Sequence, residues 1–240
     1  MLDLSARVAV VTGATGNLGH DVVRAFLAQG AHVAMPVRDR DKGLELRASL
    51  GDVAGTPEDP HLILETADPG DRASMEAFVE HVMRAWGRLD ILANLAGGYG
   101  GGSALDFDGL QDLWDQNVRT VVNATAACVR PMRARGYGRI VTVGAYAGLR
   151  GRKNGGGYAM AKGALIRWTE ALAEEVKAEG ITANIVLPST IDHPVNRKNM
   201  PKADPKTWVA PQELANVILF LCSDEASGVT AAAIPVTART

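Results

Sequence analysis

The chain has 240 residues, 47% of them hydrophobic, with a formal charge of −2, which is enough apolar side chain for a full core in a single domain over residues 1–240. A near-neutral balance of this kind excludes non-specific hold on nucleic acid or on an anionic membrane surface, so no partner of either class is expected. The apolar run ending at Thr12 is too short for a secretion signal or a membrane span, and a cytoplasmic protein is expected.

The predicted elements alternate along the chain. Val8–Thr12 is a β-branched run suited to a buried strand, and Gly13-Ala-Thr-Gly-Asn-Leu-Gly19 opens a helix with apolar spacing at Val22, Val23, Phe26 and Leu27. Gly30 closes that helix. A second strand is predicted over His32–Val37, a helix over Lys42–Leu50, a third strand over Leu62–Thr66 and a helix over Arg72–Trp86. Then come a strand at Leu89–Asn94, a glycine-rich loop at 97–102, one long helix from Leu110 to Arg133, and a strand at Gly138–Val143. A helix beginning near Tyr158 runs to Glu179, followed by a strand at Ile181–Leu187, a helix at Pro211–Ser223 and a closing strand at Ala231–Val236. Strands separated by helix-length segments predict a Rossmann-type, doubly wound parallel β-sheet flanked by helices. The long irregular stretch at 189–209 sits where a substrate lid is expected.

Three features carry chemistry. Gly13, Gly16 and Gly19 lie between a strand and a helix, where absent side chains let the backbone approach a diphosphate at the helix N-terminus; a tight turn without ligand has the same spacing. The second strand ends at Val37-Arg38 rather than at an acidic residue. A basic residue there pairs with the 2′-phosphate of NADP, which favours NADP(H) over NAD(H), while a solvated Arg38 in a charged turn is the plain alternative. Tyr158 and Lys162 stand four apart, one helical turn from each other. An ammonium beside a phenol favours the phenolate and so is expected to lower the Tyr158 pKa.

Cys128 and Cys222 sit in apolar helix-like runs and are expected to be buried thiols, and no Cys or His spacing suggests a metal. The histidines are scattered, with His193 alone near the expected lid.

In combination these motifs resemble the short-chain dehydrogenase/reductase family over nearly the whole chain. The resemblance rests on Thr12-Gly13-x-x-Gly16-x-x-Gly19, Asp68, Asn94-Leu-Ala-Gly97, Asn117, Tyr158-x-x-x-Lys162 and Pro188. It implies NAD(P) binding, with the diphosphate along Gly13, Thr15, Gly16, Asn17, Leu18 and Gly19, and Arg38 at the cofactor ribose. It further implies Asp68 near the adenine, Asn94, Ala96 and Gly97 along the ribose, and Lys162 on the nicotinamide ribose. Pro188, Thr190 and Ile191 would stand beside the nicotinamide amide, and Asn117 would hold a relay water leading to Lys162. Tyr158, Lys162 and Asn117 would then be the catalytic set.

Two departures narrow the reading. The glycine spacing is not the family's usual form, and Ala145 stands where the family carries a serine that hydrogen-bonds the substrate carbonyl. Either another hydroxyl is recruited, with Thr142, Tyr146 and Ser189 as candidates, or the substrate does without the second donor. A subgroup similarity to dihydropteridine reductase, in Ala96-Gly-Gly-Tyr-Gly-Gly-Gly102, Gly144-Ala145, Tyr158–Ala164 and Leu187–Pro201, implies the latter. The expected activity is hydride transfer from NAD(P)H to a small electron-poor carbonyl, imine or quinonoid substrate. Dihydropteridine reductase proper and a non-catalytic nucleotide-binding relative are the alternatives. The alanine-rich helices from Leu110 and Tyr158, together with the family, imply a homodimer or homotetramer.

Overall fold

In a computed structural model, residues 2–5, 7–56 and 60–239 are described; residues 1, 6, 57–59 and 240, including both ends of the expected 1–240 domain, lie outside the described residues. The strands are β1 Val8–Thr12, β2 His32–Val37, β3 Leu62–Thr66, β4 Ile91–Asn94, β5 Gly138–Val143, β6 Ile181–Pro188 and β7 Ala233–Val236. They form one sheet in the order β3-β2-β1-β4-β5-β6-β7, parallel throughout. The helices are α1 Gly19–Ala28, α2 Arg40–Leu50, α3 Arg72–Trp86, α4 Phe107–Trp114, α5 Thr120–Arg135, α6 Gly156–Val176, α7 Pro194–Asn199 and α8 Pro211–Cys222.

Alternation along β1 divides the core between the two faces of the sheet. Ala9 and Val11 pack with Val22, Val23 and Phe26 of α1 and with Leu214 and Ile218 of α8. Val8 and Val10 face Met75 and Phe78 of α3 and Ala124 and Cys128 of α5. Both faces are covered, which is why the strands are continuous apolar runs rather than half-polar ones. Each fully buried large side chain, Phe26 among them, contributes about 1.5–3 kcal/mol. The chain lays β1, β2 and β3 in one direction and then returns to place β4 on the other side of β1. That reversal opens a crevice beyond the carboxyl ends of the strands, where α/β folds bind ligands.

Besides shifted starts at β4, β7 and α6, three elements differ from the sequence expectation. The second helix begins two residues earlier, because Asp39 caps it by accepting from the Lys42 N–H at 3.2 Å. The long helix is not uniform: α4 and α5 are joined by a π-helical turn at Asp115–Arg119. The stretch at 189–209 contains α7, and its two ends are tied by a bridge between Ile191 and Val209 and by the 2.9 Å bond from Val209 N–H to the Thr190 carbonyl. Trp208 is buried beside that bridge.

Candidate active site

The glycine loop follows β1 at the crevice. Gly13 has φ +67°, and a Cβ there would lie 2.6 Å from Ala96 N, so the first glycine makes room for the loop after β4. At Gly19 a Cβ would meet the Ala14 carbonyl oxygen at 2.0 Å, so the loop folds directly onto the first turn of α1. Thr15, Gly16 and Asn17 are exposed above it, and α1 starts at Leu18 with no side-chain cap. Backbone N–H groups at an uncapped N-terminus under an open glycine loop fit a diphosphate.

Arg38 is exposed beyond β2. The neighbouring carboxylate is committed elsewhere: Asp39 caps α2 and pairs with Lys42 Nζ at 3.3 Å. Arg38 therefore stands at the crevice end of β2 without local neutralisation by that carboxylate. Asp68 is also exposed and accepts from Gly70 N–H at 2.8 Å. It does not cap the next helix, because Asp71 does so through Ser74 N–H at 3.0 Å.

After β4 the side chains turn inward. Asn94 is buried, its Nδ2 donating to Thr125 Oγ1 at 3.1 Å, so its backbone and those of Ala96 and Gly97 are what the crevice offers. Thr12 Oγ1 accepts from the N–H groups of Leu95 and Ala96, both at 3.2 Å, which pins this turn to β1. Asn117, on the π-helical turn, is 0% exposed. Its Nδ2 donates to the carbonyls of Gly98 and Leu113, both at 3.0 Å, and its Oδ1 accepts from Gly98 N–H at 3.2 Å. A Cβ on Gly97 would stand 2.7 Å from Asn117 Oδ1 and 3.4 Å from Lys162 Nζ. Glycine thus keeps open the space on which the amide and the ammonium converge.

Helix α6 presents Tyr158 and Lys162. Lys162 is 5% exposed and donates to the Val143 carbonyl at 3.0 Å; burial lowers its pKa to about 8. Its Nζ lies 5.8 Å from the centre of the Tyr158 ring. The expected lowering of the phenol by this lysine is not what the structure shows. Burial, with a smaller contribution from Tyr99, pushes Tyr158 up to about 12. The lysine is drawn toward β5 and is itself desolvated, so the phenol is held as a neutral proton donor across the physiological range.

Ala145 is 7% exposed and extended, at φ −161° and ψ 149°, with no donor to offer. The hydroxyls considered as substitutes are placed as follows. Thr142 is buried and its Oγ1 has no partner, Ser189 Oγ donates to the Thr237 carbonyl at 3.2 Å, and Tyr146 is exposed. On the far side, Pro188 ends β6, and Thr190 and Ile191 are held by the tie to Val209. His193 caps α7 by accepting from Val195 N–H.

Two features escape sequence reasoning. One is the π-helical turn that aims Asn117. The other is Tyr99, whose ring meets that of Tyr158 edge-on at 5.2 Å and 72°. A lone aromatic in a run of glycines is the only visible hint of the second.

Among the described residues no group of His, Cys, Asp and Glu could hold a metal ion, and no helix is long and apolar enough to cross a membrane. A sequence profile described as short chain dehydrogenase matches residues 7–204. The chain is 31% identical to levodione reductase of Leifsonia aquatica, over 96% of this chain and 92% of that protein. It is 30% identical to the 3-oxoacyl-[acyl-carrier-protein] reductase of Escherichia coli (strain K12), over 95% of each. The crystal structure of levodione reductase superposes with a TM-score of 0.86 at 26% identity, covering 97% of this chain and 96% of that one. An NAD+-bound xylitol dehydrogenase, at 24% identity, shares the fold with a TM-score of 0.89 over 98% of this chain and 99% of its own.

Proposed function

This chain belongs to the short-chain dehydrogenase/reductase family and is an NAD(P)-dependent oxidoreductase; within that class we propose that it reduces a small, electron-poor carbonyl, imine or quinonoid compound, with Tyr158 as proton donor. The observation that carries this reading is a half-buried phenol kept protonated, at about 12, together with an Ala145 that supplies no second hydrogen bond. A conjugated acceptor tolerates that loss, because charge arriving at one atom is delocalised and a single donated proton completes the reduction.

In this reading the dihydronicotinamide ring supplies the hydride when bound. The residues that would hold the cofactor are Gly13, Thr15, Gly16, Asn17, Leu18 and Gly19 at the diphosphate, Arg38 at the 2′-phosphate and Asp68 near the adenine. Asn94, Ala96, Gly97 and Lys162 would line the riboses, and Pro188, Thr190 and Ile191 the nicotinamide amide. A basic Arg38, rather than an acidic residue, at the end of β2 favours NADP(H). Tyr158 gives its proton to the heteroatom next to the reduced carbon. Lys162 and Asn117, converging on the space beside Gly97, return a proton from solvent through water.

Following NADPH oxidation against diketones and quinones tests this directly. Turnover that disappears in Tyr158→Phe supports it. Tight NADPH binding with no turnover across the panel would identify a non-catalytic nucleotide-binding protein instead. A second reading, dihydropteridine reductase proper, is supported by Ala145 together with the Ala96–Gly102 loop and the Leu187–Pro201 segment. No reduction of a quinonoid dihydropterin with either nicotinamide cofactor removes it.

The same reading includes a homodimer or homotetramer. Leu105 and Phe107, at the start of α4, are exposed large apolar residues that a second copy would cover. Sedimentation as a monomer at micromolar concentration would refute this. The buried free thiols of Cys128 and Cys222, which burial leaves as neutral SH groups, fit a cytoplasmic location.

A further inference from the structure

The geometry points to Tyr99 as a recognition platform that selects planar, conjugated ring substrates over compact aliphatic carbonyls, an inference that rests on the reductase reading above. Between Gly97 and Gly102 every other residue is glycine, so Tyr99 is the loop's single side chain beyond Cα. The loop is pinned at both ends. Gly98 exchanges hydrogen bonds with the Asn117 amide, N–H to Oδ1 at 3.2 Å and Nδ2 to carbonyl at 3.0 Å. Gly102 N–H donates to the Asn154 carbonyl at 2.9 Å and bridges Gly155, the residue just before α6. The ring is therefore carried between the element that aims Asn117 and the helix that presents Tyr158.

Edge-on contact with Tyr158 at 5.2 Å places Tyr99 at the mouth of the site, yet it remains 78% exposed. A large ring fixed at its base and bare to solvent beside a half-buried proton donor offers a π surface that stays 78% exposed among the described residues. The need for such a surface follows from Ala145. With Tyr158 as the sole donor, a bound carbonyl is free to rotate about one hydrogen bond, and hydride transfer requires that rotation to be stopped. Aromatic contact is directional, preferring offset-stacked or edge-to-face arrangements, so a flat ring resting on Tyr99 is oriented where an aliphatic chain is not. Tyr99 is thus a positioning residue and not a proton donor.

The test compares wild type with Tyr99→Leu and Tyr99→Phe, each checked for native circular dichroism. Equilibrium dialysis of phenanthrenequinone in the presence of NADP+ should show affinity about tenfold weaker in Tyr99→Leu and within about twofold of wild type in Tyr99→Phe. In turnover, the preference for phenanthrenequinone over diacetyl, as the ratio of their kcat/KM values, should fall by a similar factor in Tyr99→Leu, through KM. Unchanged quinone affinity in Tyr99→Leu overturns the platform. So does a loss in Tyr99→Phe equal to that in Tyr99→Leu, which would transfer the role to the hydroxyl. Tyr99-dependent quinone binding with no turnover by wild type would overturn the reductase reading and leave the platform standing.

Discussion

The two ends of the same parallel sheet are built on opposite electrostatic terms. At the amino end, Asp90 is fully buried and saturated: it accepts from Val8 N–H at 2.9 Å and from Arg88 through two 2.7 Å bonds. Arg135 and Arg7 stand 3.6 and 3.8 Å away. Nearby, the Tyr137 ring lies between the guanidinium groups of Arg7 and Arg139, at 4.0 and 4.3 Å, with its hydroxyl donating to Asp224. At the carboxyl end the polar groups are left open. Lys162 is buried on one carbonyl, and Asn94 Oδ1 and Thr142 Oγ1, opposite each other in the β4–β5 register, have no partner. The amino end thus binds its charges into a paired cluster, although Thr182 Oγ1 there also lacks a partner, while the carboxyl end leaves a buried ammonium on one carbonyl and two facing polar atoms unpaired at the proposed site.

That contrast can be broken or sharpened by substitution. The largest expected effect is at the open end: Tyr158→Phe should lower kcat by about 10²–10⁴-fold with an unchanged denaturation midpoint. At the closed end the order reverses. Asp90→Ala leaves the buried Val8 N–H without its acceptor and Arg88 without its partner, and should cost about 1–3 kcal/mol of stability in a urea titration, while the fraction that stays folded keeps its turnover. A loss under about 1 kcal/mol would show that the cluster is merely surface-like.

A smaller effect concerns cofactor choice. Arg38→Ala should weaken NADPH by about tenfold, the scale of a lost charged hydrogen bond, and leave NADH affinity as it was. Unchanged NADPH affinity, or tighter binding of NADH by wild type, refutes the assignment. The mildest is a pH profile. Burial lowers Lys162 to about 8, so its ammonium is present below that pH and lost as pH rises through it, while Tyr158, at about 12, stays protonated. Reduction should therefore be level at lower pH and decline above about pH 8. Lys162→Met should be slow and lack that limb; the same decline in the variant would assign it to another group.

Much of the scaffold is legible in the chain itself. β1, β2 and β5 fall where apolar runs bounded by glycine or charge predict them, because a strand buried on both faces needs nothing beyond apolar side chains, and the partly buried edge strand β3 also falls where predicted. The helix through Asn117 is legible only in part. A π-helical turn shifts the register by one residue without interrupting the apolar pattern, so the aim of Asn117 at Gly98 depends on tertiary contact. Four-residue spacing correctly puts Tyr158 and Lys162 on one face. It does not reveal that Val143, on a neighbouring strand, attracts the ammonium, nor that burial outweighs the lysine in setting the phenol. Likewise Asp90 and its arginines span residues 7 to 135, a separation no local pattern encodes, and Tyr99 reaches Tyr158 only because Asn117 and Asn154 close its loop.

On the function proposed above, Tyr158 is the one proton donor and its substrates need no second. Restoring a hydroxyl tests it most directly, by measuring kcat/KM of wild type and Ala145→Ser with NADPH on a simple aliphatic ketone and on a conjugated quinone. The serine should raise activity on the ketone by about 10²-fold, the worth of one oxyanion donor, and change the quinone far less. Equal gains on both, or none on the ketone, would contradict it.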